Sequence, residues 1–416
     1  MKIWVVSQYY PPETGAPSAR LSGLAKSWKE MGADVTVLTG TPNHPDGVVP
    51  ESYRNRPAFY EETMDGVRVW RHWLLVAANK GKLRRVFNQL SFMFSVLFAN
   101  LHGVAPAQRP DVVVASSPAF FCVISGWLLA RRYGAKFVFE VRDLWPAIFV
   151  QMGILKPGLI LSVLSLLEKF LYKRADAIVT VTRSFAAEIS RRGIAAEKIS
   201  VVFNGVSDAD YLTAAQAKQN AGALRSKVGV GPLSKIVLYI GNHGEAQALG
   251  QIVDAARTLV RRTDIVFLFV GDGADKQRLV QYAKGVPNVQ FLPSVKHSEV
   301  WQYYAGADIN LVCLKNIPDF DMFIPSKMFE IMAAEAPAVA ALRGEGAALM
   351  TESGSALVVP SEDADALAGA IEALADDPDR RRKMAASGRA YVGKYFLHSR
   401  LASQYLVLMK KLVGAA

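Results

Sequence analysis

Two residues of this sequence have the type and spacing to grip a nucleotide. Lys327 and Glu330 lie in residues 321–346, DMFIPSKMFEIMAAEAPAVAALRGEG. Pro325 bars helix before it and Ser326 is a good N-cap, so a helix should start at Lys327. Three residues apart on that helix, Lys327 and Glu330 share a face. A helix N-terminus with free N–H groups and a lysine in its first turn suits a phosphate. A carboxylate one turn on can accept hydrogen bonds from ribose hydroxyls. The apolar run AVAAL at 338–342 then reads as a buried parallel strand. The same residues also fit an ordinary amphipathic helix with two surface charges, so the rest of the chain must decide.

The elements that would position these groups need room. A chain of 416 residues exceeds one typical core and points to two domains. With 51% apolar and 20% charged residues the composition is that of a globular protein, not a disordered or fibrous one. Cys122 and Cys313 each sit among apolar neighbours, which fits buried thiols in a reducing cytoplasm rather than a disulfide framework. Met1-Lys2 leads directly into a strand-like run, so no signal peptide is expected. The six histidines show no metal-ligand spacing. The net charge of +11 is uneven: residues 1–205 carry 25 Lys+Arg against 15 Asp+Glu, and residues 206–416 carry 23 against 22. A basic first half suits nucleic acid or an anionic membrane. The motifs that read nucleic acid are not seen, which favours the membrane.

Along the first half, residues 2–7 (KIWVVS) predict a buried strand, followed by a loop with three prolines and Gly15. A helix is expected over 19–31 and a second strand over 34–39. This is the start of a doubly wound sheet, whose ligands sit at the C-terminal ends of strands. Gly15, Ser18 and Arg20 are therefore candidate ligand contacts, against the plainer reading of a Pro-stiffened turn. Residues 41–60 read as loop. Lys80, Lys82, Arg84 and Arg85 precede the greasy run LSFMFSVLFA at 90–99. That run is about half the length needed to span a bilayer. It fits an in-plane membrane helix or a core helix. The strand KFVFEV at 136–141 ends in Arg142-Asp143-Leu144-Trp145-Pro146. Charges at a strand tip make Arg142 and Asp143 candidates for holding an acceptor hydroxyl or steadying a developing positive charge, or an Arg–Asp pair capping a loop.

In the second half, the strand KIVLYI at 235–240 runs into Gly241-Asn242-His243-Gly244, with a helix expected from about Ala246. A glycine pair there lets backbone N–H groups approach a pyrophosphate, although any tight turn after a strand also needs glycine. Further strands are expected at 265–270, 289–292 and 309–314, with a helix at 299–304. A terminal amphipathic helix is expected over 395–412.

Five motifs in this order carry a resemblance: YYPPETGAPSARL at 9–21, FEVRDLWP at 139–146, VVFNGV at 201–206, YIGNHGEAQAL at 239–249 and IPSKMFEIMAA at 324–334. Together they make the chain resemble the retaining family-4 glycosyltransferases of the GT-B fold over essentially its whole length. The forms look most like transferases of O-antigen and capsule assembly, especially N-acetyl-L-fucosamine transferases. The resemblance implies an α/β protein of two doubly wound, Rossmann-like domains facing each other across a cleft. Residues 1–205 would bind acceptor and 206–394 the nucleotide sugar, with a C-terminal helix at about 395–416 packing back on the first. It implies that Glu330 binds the donor ribose. Ser326, Lys327 and Gly244 would hold the diphosphate. Gly15, Gly241, Asn242, His243 and Gln247 would line the donor site. Arg142-Asp143 occupies the place of the family's His-Asp pair near the reacting sugar, with Ser18, Arg20 and Arg142 toward the acceptor.

The chain departs from the family at several points. The first glutamate of the E-x7-E motif falls at Met322, with Asp321 one residue off register. The usual Arg/Lys pair after the second domain's first strand is absent, leaving His243 and Gln247 in the region and Lys327 as main cation on the leaving group. The expected activity is metal-independent transfer, without a cofactor, from a UDP-sugar to a polyprenyl-diphosphate-linked sugar, with Asp143 and Lys327 catalytic. It would act in lipopolysaccharide O-antigen or capsule biosynthesis on the inner face of the cytoplasmic membrane, without nucleic acid. A nucleotide-sugar epimerase of the same fold, or a non-catalytic membrane-surface binder, are the alternatives.

Overall fold

The computed structural model describes residues 1–44, 47–76, 82–101, 103–146, 158–219 and 222–414. Of the expected basic leader, Lys80 lies outside them, while Lys82, Arg84 and Arg85 fall at the start of the helix Lys82–Asn100. The chain divides into two compact units, Met1–Phe203 with His398–Ala416, and Asn204–Leu397.

The first unit is built on β1 (Lys2–Val6), β2 (Asp34–Gly40), β3 (Phe59–Met64), β4 (Val67–His72), β5 (Val112–Ser116), β6 (Lys136–Val141), β7 (Ala177–Thr180) and β8 (Ile199–Val201). They form one sheet in the order β3-β4-β2-β1-β5-β6-β7-β8. Every neighbouring pair is parallel except β3 with β4. Parallel strands are covered on both faces, which is why most of them read as unbroken apolar runs. β3 is different. It alternates exposed and half-buried residues, and its two glutamates break the apolar pattern, as suits an edge strand. That is why the sequence at 59–60 reads as loop.

Helices α1 (Ala16–Glu30), α2 (Lys82–Asn100), α3 (Phe120–Tyr133) and α4 (Leu159–Arg174) belong to this unit. α1 begins three residues before the expected start, with Gly15 as its cap at φ +119°. The C-terminal helix, His398–Leu412, packs on α1: Trp28 Nε1 donates to Ala402 O at 3.0 Å, and the Trp28 and Tyr405 rings meet edge to face at 5.1 Å. It starts later than the sequence suggests, because residues 378–395 form a separate helix before it.

The second unit carries β9 (Lys235–Ile240), β10 (Ile265–Val270), β11 (Val289–Leu292), β12 (Ile309–Cys313), β13 (Ala338–Ala341) and β14 (Ala356–Val359). The order is β11-β10-β9-β12-β13-β14, all parallel. Counted from β9 this is 3-2-1-4-5-6, the doubly wound order, and it reverses between β9 and β12. Those two strands pair only at Ile309 with Val237 and Asn310 with Leu238. Beyond Leu238 their pairing ends, and the C-terminal ends of strands at such a reversal are where doubly wound sheets place ligands. The chain after β9 differs from expectation. A short 3₁₀ turn, Glu245–Gln247, precedes the helix Gly250–Thr258. Ala248 takes a left-handed φ of +46°, which no continuous helix from Ala246 allows.

Candidate active site

Lys327 reaches the end of β9, past the last residue that pairs with β12. Its helix, Lys327–Ala333, follows directly on Pro325-Ser326. The Lys327 Nζ donates to Ile240 O at 2.9 Å and lies 3.8 Å from the centre of the Tyr239 ring. Ile240 O is free for this because β12 has already left β9. Burial pushes the Lys327 pKa down to about 8. Among the described residues no carboxylate forms an ion pair with it. A half-buried cation held by a carbonyl and a ring face, with no carboxylate in ion-pair reach among the described residues, is a ready partner for an anion. Ser326 stands at the N-cap, but its side chain makes no capping bond and its backbone is already helical at φ −60°, ψ −30°. The helix begins through Met328 N–H to Pro325 O and Phe329 N–H to Ser326 O instead. The expected Ser326 cap is therefore corrected, and its hydroxyl stays uncommitted.

The loop after β9 rests on the tip of β10. Gly241 N–H bonds Val270 O and His243 N–H bonds Asp272 O. The alternate N–H groups, of Asn242 and Gly244, have no such partner among the described residues. Gly271 makes the approach possible: a Cβ there would lie 2.0 Å from Gly241 O. His243 is buried against Tyr239 and Phe269, and among the described residues neither ring nitrogen has a partner in good hydrogen-bond geometry. Burial and the nearby Lys276 and Lys327 push its pKa down to about 4, so it is neutral at pH 7. Gln247 Oε1 is also buried without a partner. The loop thus offers neutral donors and acceptors, and Lys327 supplies the charge.

Glu330 lies one turn along the Lys327 helix. Tyr304, from the helix His297–Gly306, donates its hydroxyl to Glu330 Oε2 at 3.0 Å. Burial raises the Glu330 pKa, while His297 opposes the rise. His297 is itself held above its ordinary pKa by Asp210, 3.7 Å from its Nε2. Sequence reasoning missed Tyr239, Tyr304, His297 and Asp210 as neighbours of this site. A tyrosine on an amphipathic helix carries no mark of the carboxylate it faces. Asp321, the nearest carboxylate to the missing first glutamate, accepts from Arg343 at 3.3 Å.

In the first unit, Arg142 and Asp143 lie at the tip of β6. The Arg142 backbone N–H donates to Ser117 Oγ at 2.9 Å. Its guanidinium is buried, and Nε and Nη1 have no partner among the described residues. Burial pulls its pKa down to about 10, with Glu140 opposing. Asp143 is half-buried; burial raises its pKa and Arg142 pulls it back. Gly15 is exposed, and Ser18 Oγ is buried without a partner in the first turn of α1. Arg20 is a correction. It is 2% exposed, pairs with the fully buried Glu140 at 3.1 Å, and donates to Val202 O at 2.9 Å and to Phe203 O. Arg20 is a strut tying α1 to β6 and the end of β8, with four of its five N–H groups committed to Glu140, Val202 and Phe203. Among the described residues no group of three or more His, Cys, Asp or Glu is placed to hold a metal ion.

These half-sites have relatives. Residues 15–205 match the glycosyl transferase 4-like domain, and residues 234–377 match glycosyl transferases group 1. The chain is 30% identical over 389 residues to WcaI of Escherichia coli (strain K12), described as a colanic acid biosynthesis glycosyl transferase, covering 89% of this chain and 91% of that one. The chain belongs to the family-4 glycosyltransferases. The fold of the enzyme matches that of sucrose-phosphate synthase from Thermosynechococcus elongatus, with a TM-score of 0.75 at 18% identity, covering 100% of both chains. It also matches Anabaena HepE solved with UDP-glucose, with a TM-score of 0.70 at 18% identity over 99% of this chain and 100% of that one. The two doubly wound sheets of the transferase are thus those of the GT-B fold.

Proposed function

We propose that the enzyme moves a sugar from a UDP-sugar to a polyprenyl-diphosphate-linked sugar during surface polysaccharide assembly, with retention at the anomeric carbon. The observation that carries the donor half is Lys327, a half-buried cation with no carboxylate ion-pair partner among the described residues, at the strand-order reversal of the second unit. Breaking the sugar–phosphate bond builds negative charge on the leaving diphosphate and positive charge on the sugar. Lys327 stabilises the first from a preorganised position, with the free N–H groups of Asn242 and Gly244 beside it. Glu330, oriented by Tyr304, accepts from the ribose hydroxyls. Asp143 steadies the sugar. UDP is supported by HepE, solved with UDP-glucose. Polysaccharide assembly is supported by WcaI, and an N-acetylated deoxyhexosamine such as N-acetyl-L-fucosamine by the motif forms.

A thermal-shift panel of nucleotides tests the donor half. UDP at about 100 times its dissociation constant should add roughly 2.7 kcal/mol of stability, and Glu330→Ala should remove most of the shift. A shift with GDP alone would redirect the donor. No shift with any nucleotide would sink the reading.

The lipid-linked acceptor places the enzyme at a membrane surface, and two helices support this. α2 buries Phe92 and Val96 but presents Phe87, Phe94 and Phe98 outward, with Phe98 78% exposed and stacked on Phe94 at 6.3 Å. α4 presents Leu159, Ile160, Val163 and Leu166 outward. Both helices pack on α3. Among the described residues no helix is long and apolar enough to cross a membrane. Exposed aromatics on a helix packed by its other face suit in-plane contact with lipid. Replacing both Phe94 and Phe98 by aspartate should weaken binding to phosphatidylglycerol vesicles by roughly tenfold or more, since each buried phenylalanine contributes about 1.5–3 kcal/mol. Cosedimentation measures this, and unchanged binding would remove the helices from the interface.

A further inference from the structure

The loop between β1 and α1 buries a carboxyl group that the donor chemistry does not use. Glu13 is 5% exposed. Its Oε1 accepts from the backbone N–H groups of Asn43 at 2.8 Å and His44 at 2.9 Å. Its Oε2 is buried and meets no hydrogen-bond partner among the described residues. Burial pushes the Glu13 pKa up to about 7. Leaving an oxygen of a buried carboxyl unsatisfied costs stability, and such groups are uncommon unless a ligand or function accounts for them. Arg71 does not account for it. Its guanidinium is committed to Glu62 Oε1 at 2.7 Å, to Gly40 O at 3.1 Å and to Pro11 O.

Glu13 lines a cavity of about 430 Å³. The other polar walls are Asn43, His44, Ser52 and Tyr53, and the rest is proline with Val48. The size is that of a small-ligand site. Its chemistry is mixed in a particular way. Proline rings, Val48 and the Tyr53 ring offer flat apolar surface, while a carboxyl, an amide and a hydroxyl offer hydrogen bonds. A pyranose ring has the matching pattern, with C–H faces for the apolar walls and hydroxyls around its edge. The loops that form the cavity leave β1 and β2 at their C-terminal ends, on the same edge of the sheet as Arg142-Asp143 at the tip of β6.

We infer that this cavity binds a pyranose residue of the acceptor glycan, one of whose hydroxyls donates to Glu13 Oε2. The inference rests on the reading of the first unit as the acceptor side. Specificity for the acceptor sugar is then set by Glu13, Asn43, His44, Ser52 and Tyr53, far in sequence from the donor site. Saturation-transfer NMR on the full chain with a panel of free pyranoses and their methyl glycosides tests it without donor or lipid. At least one sugar should show transfer, and its affinity should fall about tenfold or more in both Glu13→Gln and Tyr53→Ala. Glu13→Gln keeps an oxygen for the Asn43 and His44 N–H groups, and Tyr53 is only half-buried, so both variants should fold. The UDP thermal shift should be unchanged in both. An intact UDP shift with no sugar signal in the unmodified enzyme, or with a sugar signal that both variants retain, would overturn the inference and leave the donor reading standing. A missing UDP shift would fall on the donor reading instead.

Discussion

Replacing Lys327 by alanine is expected to lower kcat for sugar transfer by about 10²–10³-fold, the usual effect of removing one preorganised group facing transition-state charge. Lys327 is fixed by Ile240 O at 2.9 Å and by the Tyr239 ring, so little reorganisation is needed when the diphosphate leaves. It has no carboxylate partner among the described residues to compete for it. The other cation of this region, Lys276, is bonded to Gly271 O at 2.6 Å and Leu292 O at 3.4 Å. Donor KM should change less than kcat, because charge on the leaving group grows toward the transition state. The pH profile is a second readout. Burial sets the Lys327 pKa at about 8, so the ammonium is present below that value and is lost as pH rises through it. Accordingly kcat/KM, which reports the free enzyme, should fall above about pH 8. A variant with near-normal kcat would remove Lys327 from the chemistry.

Replacing Arg20 by alanine should destabilise the first unit by about 3–5 kcal/mol, the cost of leaving one member of a buried ion pair without its partner. Glu140 is fully buried, and among the described residues its one remaining hydrogen bond is from Ser116 Oγ at 2.8 Å. The carbonyls of Val202 and Phe203 lose their donors as well. Urea unfolding measures the shift, with UDP binding as the control for the second unit. A double replacement, Arg20→Met with Glu140→Leu, should recover most of the loss, because apolar side chains of similar volume often substitute for a buried pair at little cost. Loss of activity in Arg20→Ala at unchanged stability would instead restore Arg20 to the acceptor site.

Much of the architecture was legible in the residues alone. Apolar runs such as KIVLYI and IVFLFV mark parallel strands because both faces of such a sheet are covered. The spacing of Lys327 and Glu330 marks a shared helix face because a helix repeats every 3.6 residues. These are local rules, and a local segment obeys them wherever it lies. What only the tertiary structure decided is which groups meet. Arg20 and Arg142 look alike in sequence, each a lone arginine near a functional loop. Glu140 and two carbonyls about 180 residues away hold the first, and no described residue holds Nε and Nη1 of the second. Tyr304 finds Glu330 across 26 residues, and Glu13 finds Asn43 and His44 across about 30. Those meetings follow from strand order and from the parting of β9 and β12 after Leu238. No short stretch of sequence encodes strand order, because it comes from packing whole elements against one another. The types of chemistry were therefore written along the chain, and the partners of each group were set only when the two sheets formed.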